Sequence, residues 1–180
     1  MKSKVIAISA ISAGLTAICL TVGIYIEMAD MLALIIASSF VILPLYYKSY
    51  KGSVLASLAG GVIATVFGGF NFLSLVIPSF FFFFGIYPIL SCFLKERGLK
   101  KPAYFLIGAI WCVAYFYGAY FYYTAVMGLN FADFPEWIDW LNDYILYFLG
   151  AFGIIFYFVY DRFVTVVRIL TDKFLGRIIK

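Results

Sequence analysis

The sequence predicts an all-α polytopic membrane protein of six transmembrane helices with both termini in the cytoplasm, and three observations carry that prediction. Apolar residues make up 66% of the chain and charged residues 12%, with a mean hydropathy of +1.05. Soluble domains are about 45–50% apolar and about 25% charged, so this chain has too little polar surface to cover itself in water. Second, six uncharged stretches approach the roughly 20 residues that cross about 30 Å of hydrocarbon. Third, the basic residues sort to one side of a six-span topology and most acidic residues to the other.

The spans read Val5–Ile26, Met31–Tyr47, Gly52–Gly68, Phe72–Leu94, Pro102–Met127 and Tyr144–Tyr160. No period-two alternation runs through them, and backbone groups in lipid must be satisfied within their own segment, so each is expected to be a helix. They form one transmembrane domain over residues 1–180. The first could be taken for a secretory signal, but its apolar run is longer than the usual 7–15 residues and is expected to stay as a span. The cysteines, Cys19, Cys92 and Cys112, fall in three different spans and are expected to pack as small hydrophobes.

Orientation follows from the bases, which the insertion machinery and anionic lipid hold inside. Lys2 and Lys4 precede span one, Lys48 and Lys51 join spans two and three, and Lys95, Arg97, Lys100 and Lys101 join four and five. Arg162, Arg168, Lys173, Arg177 and Lys180 follow span six, which places all thirteen Lys and Arg on one side. The opposite loops hold Glu27, Asp30, Asp133, Glu136, Asp139 and Asp143 and no base. This arrangement predicts a multi-pass protein of the cytoplasmic membrane.

The chain has no His, and no charge falls clearly inside the hydrocarbon, where ionisable groups are costly and kept for function. An enzyme is therefore not expected, nor proton coupling through a midplane carboxylate. There is no GxxxxGK loop with which to use ATP. No cofactor, metal site or nucleic-acid partner is expected, and uphill transport would need another polypeptide.

Close-packing surface is plain. Gly52, Ala56, Gly60, Ala64 and Gly68 recur every fourth residue along span three, one groove against which another helix can lie. Span one carries Ser9, Ala13 and Ala17, flanked by Ala10 and Gly14, which serve either internal packing or the docking of a separate subunit. Span four carries Pro78 and Pro88, each of which removes a backbone donor and kinks the helix. In the loop between spans five and six, FADFPEWIDWLND sets Phe134, Trp137, Ile138 and Leu141 opposite the acids, a short amphipathic helix that anchors in the headgroups or folds over the bundle mouth. Beyond span six, residues 161–180 are expected to form a cytoplasmic amphipathic surface helix, with Phe163, Val167, Leu170, Phe174 and Ile178 opposite the charges.

Size, six spans with both ends inside, Ala13 and Ala17 in the first helix, and LPLYYKSYKGSVLASLAGG between spans two and three together resemble the substrate-binding S component of energy-coupling-factor (ECF) transporters. The resemblance implies a subunit that captures a vitamin or similar micronutrient from outside. It also implies docking, through the first helices, on a transmembrane coupling subunit that carries two ATPases. Candidate ligand residues at the outer end are Tyr25, Glu27, Asp30, Asn71, Tyr122, Tyr123, Asn130, Trp137 and Trp140. With acids and no Lys or Arg there, the ligand is expected to be neutral or cationic and ring-containing. The short link at Gly69 to Asn71 and the Trp-rich outer loop depart from the pattern, so no particular vitamin pocket transfers. Two other classes remain open: an accessory or assembly protein that binds another membrane protein through Ala/Gly faces, and a passive facilitator, which would show a polar stripe.

Overall fold

The computed structural model describes residues 2–70, 74–126, 128 and 139–178; the side chains of Lys2, Glu27, Val126, 139–143 and Ile178 lie outside that description. The helices are α1 (Lys2–Tyr25), α2 (Asp30–Val41), α3 (Tyr50–Phe67), α4 (Val76–Ser79), α5 (Tyr87–Glu96), α6 (Lys101–Val126) and α7 (Asp139–Ile178). Among the described residues there is no strand, and six helical segments are long and apolar enough to cross a membrane. Span two is α2 prolonged by a 3₁₀ turn, Leu43–Tyr47, with Pro44 at its start. Lys48 then turns through a left-handed conformation (φ 54°), and Ser49 caps α3 by accepting from the Gly52 N–H at 3.1 Å.

The small residues of spans one and three meet each other. Ala13, Ala17, Ala56 and Ala64 are all buried. A Cβ on Gly60 would lie 2.8 Å from Thr16 Cγ2 and 3.0 Å from the Ala13 carbonyl, and one on Gly52 would lie 2.6 Å from Ser9 Oγ. Only hydrogen in place of a side chain lets the two backbones come this close. The groove of Gly52, Ala56, Gly60, Ala64 and Gly68 therefore packs within the chain, with α1 as its partner. Of the two roles expected for Ser9, Ala13 and Ala17, internal packing is the one this arrangement supports, because α3 occupies that face and leaves it little room for a docking subunit.

Span four is broken, as its prolines require, but into three pieces. Between α4 and α5 the run Phe80–Phe84 forms a π-helical turn, closed by the Gly85 N–H donating to the Phe80 carbonyl at 2.7 Å. Ile86 N–H reaches Phe83 rather than Phe82, and the Phe82 carbonyl is met by the Trp111 indole N–H of α6 at 3.0 Å. The turn points Phe80, Phe83 and Phe84 into the core, where all three are fully buried. Phe83 stacks on Tyr87 and Tyr115, at ring-centre distances of 5.3 and 5.1 Å, and lies 5.4 Å from Tyr160. Helices α6 and α7 approach through glycine at Gly108 against the Tyr157 ring and at Gly153 against Val113.

The sixth span and the basic tail form one unbroken helix, so residues 161–178 do not begin a new element. Ile145 and Asp30 line the same cavity, whereas Thr171 and Phe40 line another groove. The late part of α7 thus lies beside Phe40 of span two and Ile8 and Ile11 of α1. Val164 and Thr171 are buried, but Leu170 and Phe174 are exposed, so the apolar half expected for this segment is only partly covered.

Candidate functional site

Two adjoining cavities open at the end of the bundle that carries Asp30, away from the basic connections. One, of about 450 Å³, lies between the first turns of α2 (Asp30, Met31, Leu34), α4 (Val76), α6 (Phe116, Tyr120, Tyr123) and α7 (Ile145, Leu149). The other, of about 420 Å³, runs along the opposite flank of α6 to Pro78, Phe81, Phe82, Gly118 and Tyr122. Leu75, Ser79, Tyr115 and Ala119 line both. Each volume falls in the range of about 300–1,000 Å³ that holds small ligands.

The polar groups are few. Among the described lining residues Asp30 is the only charge, and its Oδ1 accepts from the Met31 N–H at 2.6 Å. One donor of the first turn of α2 is thus used by a carboxylate of the helix itself, and that negative charge disfavours an anionic ligand at this helix end. Between the two cavities the Tyr115 hydroxyl donates to Ser79 Oγ at 3.0 Å, both side chains buried. Beneath them Phe83 and Phe84 close the bundle, with Tyr115 stacked on the former and edge-on to the latter. The arrangement is a pair of aromatic-walled cavities with phenol groups and one carboxylate, beside a packed aromatic layer. It suits binding of a ring by stacking and of a cation by Asp30 and the ring faces.

Of the residues expected at a ligand site, the structure brings together Asp30 and Tyr123 in one cavity and Tyr122 in the other. Tyr25 is not among them. Its hydroxyl donates to the Phe67 carbonyl at the end of α3, at 2.9 Å, on the exposed α1–α3 side, apart from both cavities. Glu27 begins the 3₁₀ turn before α2 and Trp140 lies in the first turn of α7, positions known for their backbones alone. Asn71, Asn130 and Trp137 lie outside the described residues, as does most of the amphipathic loop segment. Tyr115, Ser79 and Tyr120 were not anticipated, because position along a sequence does not tell which face of a uniformly apolar helix looks inward; Pro78, singled out as a break that can shape a cavity, lies in the wall of the second cavity.

A second polar cluster, also unanticipated, ties spans four, five and six together at the basic end. Asp161 Oδ1 accepts from Tyr87 (2.9 Å), Ser91 (3.2 Å), Lys95 (3.0 Å) and Tyr104, and Oδ2 accepts from Lys95 (3.1 Å). Lys95 also donates to Thr165 Oγ at 2.8 Å. Its legible signal was Tyr87, Ser91 and Lys95 at four-residue spacing, one face of α5, opposite an acid and a hydroxyl at the same spacing in Asp161 and Thr165. One turn beyond, Arg168 pairs with Glu96 (3.5 Å) and Asp172 (3.3 Å). No group of His, Cys, Asp or Glu among the described residues could hold a metal ion, and the described cysteines are free thiols. No protein-family model, curated protein or solved structure matches this chain.

Proposed function

We propose that this chain is the membrane-embedded substrate-capture subunit of an ATP-driven micronutrient uptake transporter, similar to the S components of ECF transporters, and that it takes a neutral or cationic, ring-containing ligand from the outer side. The observation that carries the reading is the paired cavity around Tyr115, whose one described charge is Asp30 and whose lining includes Tyr120, Tyr122 and Tyr123. The sorting of all thirteen bases to the other end supports an outward-facing mouth and cytoplasmic termini. An acidic ligand is disfavoured because its usual partner, Arg or Lys, is missing from the described lining, and a carboxylate, Asp30, stands at the start of α2.

The packed aromatic layer around Phe83 supports capture rather than passage, since a ligand would need a change of packing to cross it. The energy for that change would come from the coupling subunit and two ATPases that the resemblance implies. With Ser9, Ala13 and Ala17 turned to α3, the face of α1 left for such a partner is the one bearing Ala10 and Gly14, where a Cβ added to Gly14 meets nothing within 4 Å.

Equilibrium binding to the purified protein tests the reading. Thiamine-like, pyridine-like and flavin-like compounds are screened against biotin, folate, nicotinate and pantothenate. Tight binding in the first group, weakened about tenfold (~1.4 kcal/mol) by Asp30→Asn and unchanged by Lys48→Gln, supports it. Tight binding of any of the four carboxylates overturns the ligand class. A chain that co-purifies with an unrelated membrane protein and binds none of these compounds overturns the function.

A further inference from the structure

An apolar groove of about 730 Å³ opens near the basic end of the bundle, remote from the ligand cavities, between α1 (Ile8, Ile11, Leu15), the end of span two (Phe40) and the late part of α7 (Leu170, Phe174). Its sides are strongly exposed, with Ile11 at 57%, Leu170 at 58% and Phe174 at 65%. Charge is arranged at one end of it. Lys4, Ile8, Ile11 and Leu15 follow one another at steps of four, three and four residues, a single stripe along α1, and Leu170, Phe174 and Arg177 form the matching stripe on α7. Both basic side chains are exposed. Gly176 faces the Tyr46 hydroxyl just before Lys48, so Arg177 runs toward the same end of span two at which the bases collect. The groove's lining is apolar but for Thr171, and the stripes that wall it on α1 and α7 each continue to an exposed base, Lys4 and Arg177, which suits an acyl chain beneath an anionic headgroup.

We propose that this groove is a binding site for an anionic phospholipid of the basic-end leaflet, with one acyl chain lying between Ile11 and Phe174 and the headgroup held by Lys4 and Arg177. A zwitterionic lipid fits the apolar part equally well but gains little from the two bases, so selectivity resides in the headgroup. The site is independent of the ligand that the outer cavities take.

The test uses the full chain in vesicles of equal parts phosphatidylglycerol and phosphatidylcholine, with brominated acyl chains on one lipid or the other. Phe174→Trp places a fluorophore in the groove, read as the difference from the unsubstituted protein. Brominated phosphatidylglycerol should quench it several-fold more than brominated phosphatidylcholine. Lys4→Gln with Arg177→Gln should erase that preference, each base accounting for about fivefold, whereas Lys101→Gln, on another helix, should leave it. Equal quenching by the two lipids means ordinary bulk contact and overturns the proposal. Absence of quenching by either means that a protein surface covers the groove, and overturns it equally. Retention of phosphatidylglycerol by the detergent-purified chain, counted by native mass spectrometry, provides a second readout that needs no Trp substitution: loss of that retention in the double variant supports the site, and unchanged retention overturns it.

Discussion

At Asp161 a carboxylate at the basic end of span six gathers two phenols, a serine hydroxyl and an ammonium from spans four and five. Its side chain is only 17% exposed, while that of Lys95 is 37% exposed, so the pair is screened from one side only. Asp161→Asn keeps the shape and leaves Lys95 without its counter-charge, a loss of about 1–3 kcal/mol. Thermal unfolding in detergent should show it, and adding Lys95→Met should recover part of the loss, because a half-buried unpaired ammonium costs more than no ammonium. If the two losses simply add, the pair does not act as one. Trp111 makes a narrower prediction: Trp111→Phe takes the indole donor from the Phe82 carbonyl and should also destabilise by about 1–3 kcal/mol, whereas Trp111→His retains a ring donor and should lose less. The Asp161 cluster was half visible in the sequence. Four-residue spacing put Tyr87, Ser91 and Lys95 on one face of α5, but nothing in the chain told which helix that face met.

Among the elements, α1 and α3 show how a pattern read correctly can leave its partner open. Both stripes of small residues were evident from four-residue spacing, since helical periodicity is a local property. That they face each other is a matter of tertiary packing, and it sets the expected behaviour of variants. Ala13→Trp should now prevent α1 from seating on α3 and yield little monodisperse protein in size-exclusion chromatography. Ala10→Trp or Gly14→Trp, on the open face, should fold and insert normally but lose co-purification with a coupling subunit. If Ala13→Trp folds and only the partner is lost, the α1–α3 contact is not what holds the bundle. Span four makes the same point from another side: two prolines announced a break, but the π-helical turn depends on Gly85 and on the Trp111 donor from a different helix.

For the whole molecule, the sorted charges make topology the first thing to test. In a background free of Cys19, Cys92 and Cys112, Gly98→Cys and Lys173→Cys should be labelled from the cytoplasm only, and Pro135→Cys from outside only. Outside labelling of position 98 would overturn the six-span orientation. Gly176 lies beside the Tyr46 hydroxyl, and Thr171 and Phe174 line a groove with Ile8 and Phe40, so a disulfide-length cross-link from 176 should reach 46 and not 101.

The sequence by itself determined the solvent, the number of spans, their helical character and the side on which bases collect. Each depends on composition or on period along one helix, and hydrocarbon leaves an isolated backbone few choices. It also singled out Asp30, Tyr122 and Tyr123, because they lie at span ends where polar side chains stand out. Only the tertiary structure decided that Tyr25 bonds to the end of α3 while Tyr115 and Ser79 divide two cavities, that the small stripes pair within the chain, and that Phe83 stacks on Tyr115 beside them. In a helix apolar on every side, hydropathy cannot distinguish the face against lipid from the face against protein, and that difference is set by shape at close range.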